Sequence, residues 1–148
     1  MIRLKRAGLA DADALARMNR QMIGDEGYEG HLPLSKLKER MRGWLESGEY
    51  EAVFFLGEDG SRIGYALYEK QTDALFFAKR QVFLRHFFVA RGYRKKGVGT
   101  LAFKALKGRF WADASRVDLH VLIKNERAVD FWHGLGFREY QLGMELEI

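Results

Sequence analysis

Apolar positions along this chain change their spacing several times, and each change marks an element. Ile2 and Leu4 alternate with Arg3 and Lys5, which predicts a first strand. Asp11 can cap a helix that carries Leu15, Met18 and Met22 at helical spacing. Gly24–Gly30 follows as a flexible acidic loop. Ser35 can then cap a second helix with Leu37, Met41, Trp44 and Leu45 on one face, closed by Gly48. Ala52–Leu56 and Ile63–Tyr68 flank a Glu58–Ser61 turn and read as an antiparallel hairpin. Gln71–Arg80 fits either a strand or a packed loop. Gln81–Val89, rich in Val, Leu and Phe, is the strongest strand signal.

A basic glycine-containing loop comes next. A helix is expected from about Val98 to Trp111, buried through Val98, Leu101, Ala102, Ala105 and Leu106. Val117–Ile123 reads as a strand. Asn125 can cap a short helix with Ala128, Phe131, Trp132 and Leu135 on one face, stopped at Gly136. Phe137–Ile148 reads as two closing strands around Gly143. A strand–loop–helix–strand unit from Phe83 to Ile123 is a right-handed crossover, so its two strands should be parallel. The rest of the sheet is expected to be antiparallel. The fold class is mixed α+β, with helices on both faces of one sheet.

Composition narrows this to one domain over residues 1–148. The 148 residues are 47% apolar and 30% charged, which are globular proportions, and their aromatic residues suffice for a core. Cysteine is absent, so disulfides, thiolate metal sites and a cysteine nucleophile are excluded; no metal is expected. No apolar run approaches the roughly 18 residues of a membrane span, and the start lacks the apolar stretch of a signal peptide. A cytoplasmic protein without a membrane partner is the expectation. The net charge of +5 favours an anionic partner without naming it.

The location of that charge says more. Arg91, Arg94, Lys95 and Lys96 cluster in Val89-Ala90-Arg91-Gly92-Tyr93-Arg94-Lys95-Lys96-Gly97-Val98-Gly99-Thr100, between a strand and a helix. Glycines at 97 and 99 let backbone N–H groups approach an anion, and the helix start adds unpaired donors and a positive dipole end. A pyrophosphate suits this loop. A P-loop is rejected, because Val98 stands where its lysine should be. A dinucleotide fingerprint fits Gly97-x-Gly99-x-x-Ala102 formally, but too few βα units follow it. A glycine-rich turn with solvated charges also fits the loop alone.

A second segment, Asn125-Glu126-Arg127-Ala128-Val129-Asp130-Phe131-Trp132-His133-Gly134-Leu135-Gly136-Phe137, follows the next strand. Arg94-x-x-Gly97-x-Gly99, a helix, a strand and then this Asn-to-Phe segment together resemble the GNAT superfamily of acetyl-CoA-dependent N-acyltransferases. The two motifs lie within residues 83–137.

The resemblance implies a splayed parallel strand pair, here Phe83–Val89 and Val117–Ile123, with acetyl-CoA bound between. It implies that the backbone of Phe87, Phe88 and Val89 pairs with the pantetheine arm, and that the Val89 N–H polarises the thioester carbonyl. Backbone donors of Arg94, Lys95, Lys96, Gly97, Val98, Gly99 and Thr100 would hold the pyrophosphate. Asn125 would bond the arm, cap its helix, or both. Ala128 and Phe131 would pack beside the arm or simply in the core. The implied reaction is direct acetyl transfer to an amine through a tetrahedral intermediate. The acceptor would be a small molecule, a lysine or an amino terminus, and a homodimer is common in that family.

Two departures bear on catalysis. Relatives often place a tyrosine acid where this chain has Trp132, which could hydrogen-bond the sulfur or only shape the tunnel. Relatives also often carry a carboxylate where this chain has Arg85-His86. His86 is either a base of ordinary pKa or a structural histidine on a strand face. Arg85 is either a surface charge or a reader of an anionic group. Glu26 is a further candidate at the acceptor site, or a solvated loop carboxylate. Tyr65 and Glu69 share one strand face while Tyr68 points oppositely, so only one set can line a cleft. His133 is expected to be exposed. The competing function classes are a basic, non-catalytic module that binds nucleic acid or an acidic protein, and a CoA binder without transfer. The clustering of the basic residues at one loop, rather than over an extended face, disfavours nucleic acid.

Overall fold

Period-two runs of apolar residues bury one sheet between two helical layers. The computed structural model describes residues 2–27, 32–72 and 80–148. In chain order the elements are β1 (Arg3–Arg6), α1 (Ala12–Asp25), α2 (Leu34–Ser47), β2 (Glu51–Leu56), β3 (Arg62–Thr72), β4 (Arg80–Val89), α3 (Val98–Arg109), β5 (Arg116–Leu119) and α4 (Glu126–Gly134). The sheet order is β1-β2-β3-β4-β5; β1 to β4 pair antiparallel and β4 pairs β5 in parallel. This is the mixed sheet with one parallel pair that the crossover predicts.

Two apolar clusters cover the two faces. Leu15 of α1 and Met41 of α2 pack on Phe54, Tyr65, Leu67 and Phe88. Ala102, Phe103 and Leu106 of α3 and Trp132 of α4 pack on Phe55, Ala66, Tyr68 and Leu84. Each buried aromatic or aliphatic side chain contributes about 1.5–3 kcal/mol, so these faces hold the layers together.

Strand β4 breaks its own alternation. Leu67 pairs with His86 but Tyr68 pairs with Leu84, so one residue is slipped in as a bulge. Val82, Leu84, Phe87 and Val89 therefore face α3 and α4. Phe83 and Phe88 face α1 and α2, and so do both Arg85 and His86, which contact Trp44 of α2.

The structure corrects several boundaries. Helix α1 runs through Gly24 to Asp25, so Gly24–Gly30 begins helical and turns at Glu26 and Gly27, and residues 28–31 lie outside the described residues. Pro33, not Ser35, precedes α2, because its carbonyl accepts from the Lys36 and Leu37 N–H groups. Strand β3 continues to Thr72 and β4 starts at Arg80; residues 73–79 lie outside the described residues. Helix α3 buries Ala102, Phe103 and Leu106 and leaves Leu101 exposed, a rotation of the expected stripe. Strand β5 stops at Leu119 rather than Ile123, since Ile123 and Leu122 find no core and stay exposed. Phe137–Ile148 forms no strands. Tyr140, Leu142, Met144, Leu146 and Ile148 alternate as a strand would but have no ladder beside them, and all are exposed. No helix among the described residues is long and apolar enough to cross a membrane.

Candidate functional site

The short β5 leaves β4 half unpaired. Gln81–Leu84 pair with Arg116–Leu119, and beyond them β4 continues to Val89 alone on that side. The ladder to β3 fixes which main-chain groups face the opening. The Ala90 N–H donates to the Ile63 carbonyl at 2.8 Å. Alternation then turns Phe88 toward β3 and Phe87 and Val89 away from it. A Cβ built on Gly64 would lie 2.1 Å from the Phe88 oxygen, which confirms where that carbonyl points. Phe87 and Val89 thus offer N–H groups to the gap. The Phe88 main chain, expected there as well, is committed to the sheet.

The loop after β4 closes one end of the gap. Arg91–Tyr93 make one 3-10 turn, Lys95 has φ 63°, and Gly97 has φ 74° at the start of α3. That left-handed conformation is strained for an L residue. A Cβ at Gly97 would meet nothing within 4 Å, so the loop is open on that side. At Gly99 the need is different: a Cβ would come within 3.0 Å of the Phe131 ring. The N–H groups from Lys95 through Thr100 have no acceptor among the described residues. With the exposed Lys95 and Lys96 and the α3 dipole, they form a donor cradle open to solvent. A diphosphate, compact and doubly charged, fits it.

The cradle is tied down from below. Arg94 donates to the Val89 carbonyl at 2.7 Å and to Asp25 at 2.5 Å, and Arg91 donates to the other Asp25 oxygen at 2.7 Å. Burial raises the Asp25 pKa, but the hydrogen bonds from Arg94 and Arg91 outweigh it and hold the carboxyl below its ordinary range. The Arg94 side chain therefore anchors the loop to α1.

Across the gap, Asn125 caps α4, its side-chain oxygen accepting from the Ala128 N–H at 3.3 Å. Ala128 and Phe131 pack on the core, and Phe131 stacks on Phe87 with centroids 5.9 Å apart.

On the α1 and α2 side of β4 lies a cleft of about 580 Å³. Asn19, Met22, Ile23 and Glu26 line it from α1 and its end, and Leu32 and Arg40 from the α2 side. Phe83, Arg85 and His86 line it from β4, and His120 from beyond β5. Since His120 directly follows β5, the cleft abuts the gap between the strands. A separate groove of about 860 Å³ runs along β1 and α3 at the opposite edge of the sheet.

Comparison with known proteins agrees with this geometry. The Acetyltransferase (GNAT) family model matches residues 19–137. The chain belongs to that family. An N-alpha-acetyltransferase of Sulfurisphaera tokodaii is 29% identical over 95% of this chain and 82% of its own. The ribosomal-protein-alanine N-acetyltransferase of Brucella melitensis biovar Abortus 2308 superposes with a TM-score of 0.78 at 13% identity, covering 100% of both chains. A predicted acetyltransferase from Clostridium acetobutylicum, solved with acetyl-CoA, gives 0.74 at 14% identity over 99% of this chain and 96% of that one. At these identities the two structures show a shared fold.

Within this GNAT member, several side chains sit differently from expectation. His86 is buried, and its Nδ1 lies 3.0 Å from the Tyr65 hydroxyl. Burial first, then Arg40 and Arg85, push its pKa down to about 3. A histidine of ordinary basicity is thus not present on β4. Tyr65 is fully buried beneath His86 instead of lining the cleft, with its own pKa raised by burial. Trp132 is a core residue, edge-on to Phe87 and Phe103. His133 is exposed, against Glu139. Glu26 is partly buried rather than freely solvated, and burial followed by the Asp25 charge raises its pKa.

Sequence reasoning missed Asn19, Arg40, Trp44 and Asp25. The slip from Val82-Leu84 to Phe87-Val89 was a visible sign that two neighbouring residues of β4 share a face. Arg40 and Asn19 lie within ordinary amphipathic helices and carried no signal.

Proposed function

We propose that this GNAT-family chain is an N-acetyltransferase that moves the acetyl group of acetyl-CoA directly onto an amine. The observation that carries the proposal is the pair of outward N–H groups at Phe87 and Val89, continuous with the donor cradle of Lys95–Thr100. A pantetheine amide chain has the spacing to bond the first pair as an added strand, and a diphosphate has the charge for the second. The Asn125 side-chain oxygen is used in capping α4, which leaves its NH2 to donate elsewhere.

Each residue then has a physical task. The Val89 N–H points where negative charge develops on a carbonyl oxygen, and a fixed donor there lowers the barrier by about 3–4 kcal/mol in comparable sites. The Val89 carbonyl is already taken by Arg94, which locks the orientation of that peptide. The amine nitrogen attacks the acetyl carbon; the N–C bond forms, the nitrogen then gives its extra proton to solvent, the C–S bond breaks, and the sulfur leaves with the electron pair. The ammonium must first lose a proton. Glu26, with its raised pKa, is the carboxylate in the cleft suited to accept it, directly or through water. His86 is too weakly basic for this and serves as a neutral wall of the cleft. Proton return to the leaving sulfur is left to solvent, because Trp132 is a core side chain.

Thermal shift tests binding. Acetyl-CoA at about a hundred times its Kd stabilises by about 2.7 kcal/mol, or roughly 5–10 °C for a chain this size. A thiol-release assay across amines then tests transfer. No shift with acetyl-CoA, or an equal shift with nucleic acid alone, overturns the reading. A shift without thiol release from any amine reduces it to CoA binding.

A further inference from the structure

The acceptor cleft holds more positive charge than an amine needs. Arg40 and Arg85 both reach into it, and their guanidinium carbons lie 4.7 Å and 4.9 Å from the centroid of the one Trp44 ring. Neither has a carboxylate partner among the described residues, although eleven other ion pairs form. The only hydrogen bond of Arg85 among those residues is a long one, 3.4 Å, to the Tyr50 hydroxyl. Two like charges on one indole repel each other, and an anion between them would remove that cost.

A second observation is independent of those charges. Asn19 also lines the cleft, is fully buried, and has neither its side-chain oxygen nor its nitrogen hydrogen-bonded. A buried amide without partners costs about as much as a lost hydrogen bond, and native chains seldom leave one so. Its NH2 can donate to a carboxylate oxygen.

Glu26 lies two turns further along α1 on the same face, so one cleft contains an acid and a separate cation pair. We propose that the acceptor carries a carboxylate as well as its amine: Arg40, Arg85 and Asn19 bind the carboxylate while the amine faces Glu26. This rests on the N-acetyltransferase reading and specifies its substrate class. The carboxylate can belong to a free amino acid or to an acidic side chain near a peptide amino terminus. Both present the same chemistry to the same three residues.

Matched acceptors test it. Glutamate is compared with glutamine amide, and peptides beginning with Asp or Glu with the same peptides beginning with Asn or Gln. Thiol release should favour the acid over its neutral partner at least tenfold in kcat/KM, through KM. The free pair and the peptide pair distinguish the two sources. Arg40→Gln and Arg85→Gln should each collapse the acid-to-neutral ratio toward one, whereas Arg40→Lys, which keeps charge and stem, should retain several-fold preference. Calorimetry with N-acetylglutamate against N-acetylglutamine amide gives a readout that needs no turnover: the acid should bind tenfold more tightly, and Arg40→Gln should erase the difference. Equal use and equal binding of acids and neutral partners overturns the proposal even if acetyl-CoA binds and amines are acetylated. Absence of acetyl-CoA binding, with selective acid binding intact, would instead overturn the transferase reading.

Discussion

Replacing Gly97 with valine separates the cost of folding the loop from its use. Gly97 has φ 74°, and a valine there must adopt a left-handed backbone. That strain is about 1–2 kcal/mol, which lowers Tm by roughly 2–8 °C in a domain of this length. Packing adds nothing, because a Cβ at this position meets no atom within 4 Å. The new side chain enters open space within the Lys95–Thr100 segment, and the test is whether it displaces a bound diphosphate. Hydrogen bonds to a charged group are worth about 1.5–3 kcal/mol each. Displacing two would cost roughly 3–6 kcal/mol, or at least about a hundredfold in Kd. Titration calorimetry with acetyl-CoA measures this directly. Gly97→Asn is the control, since asparagine tolerates the left-handed region. It should recover most of the lost Tm while still binding acetyl-CoA poorly. If Gly97→Val binds within threefold of the parent, the cradle does not hold the diphosphate.

Three further perturbations test other parts of the structure. His86 has a folded pKa of about 3 against an ordinary 6.5, so it resists a proton that the unfolded chain accepts. Its contribution is complete above pH 6.5 and is lost as pH falls toward 3; denaturant unfolding should show a loss of roughly 2–3 kcal/mol between pH 7.5 and 4.5 that His86→Gln largely lacks. The midpoint of the kcat/KM–pH profile should be the same in His86→Gln as in the parent, and a displaced midpoint would restore His86 as the base. Asp25→Asn should cost about 1 kcal/mol of stability, since its ion pairs lie at the surface with the Arg91 side chain in solvent, yet weaken acetyl-CoA binding several-fold by freeing Arg94. Because the folded Asp25 pKa lies below its ordinary 3.8, the stability gap between parent and variant should be full at pH 7 and close as pH falls below 3.8, as melts at the two extremes would reveal. Asn19→Leu removes an unsatisfied buried amide and should raise Tm by about 2–4 °C while raising KM for carboxylate-bearing acceptors. A lower Tm would mean that the amide has a partner in the folded state.

Local signals made much of this architecture readable in advance. The dense apolar run of β4, the turn at Glu58–Ser61 and the two glycine-bounded motifs each specify geometry within a few residues. They sufficed to order the elements through α4 and to make β4 and β5 parallel. What escaped was set by contacts between distant parts of the chain. Strand β5 stops at Leu119 because nothing covers Leu122 and Ile123, which no local pattern reveals. Phe137–Ile148 has strand-like alternation without a strand to pair with, and alternation alone makes no ladder. The weak basicity of His86 comes first from its burial in the packed layers and then from Arg40, which lies 46 positions earlier on another element. Arg94 looked like a phosphate ligand because its pairing with Asp25 joins residues 69 apart.

The extra residue in β4 also limits how that strand can vary. Between Leu84 and Phe87 it sets the phase of two halves, one lining the cleft beside α1 and α2 and one carrying the outward amides of Phe87 and Val89. Any single substitution there keeps both halves in phase. Deleting Arg85 or His86 would restore strict alternation with both halves keeping their faces, so the outward amides of Phe87 and Val89 would survive while the cleft lost one of its two neighbouring side chains from β4. At this place the extra residue is what lets two neighbouring side chains of one strand reach the same cleft.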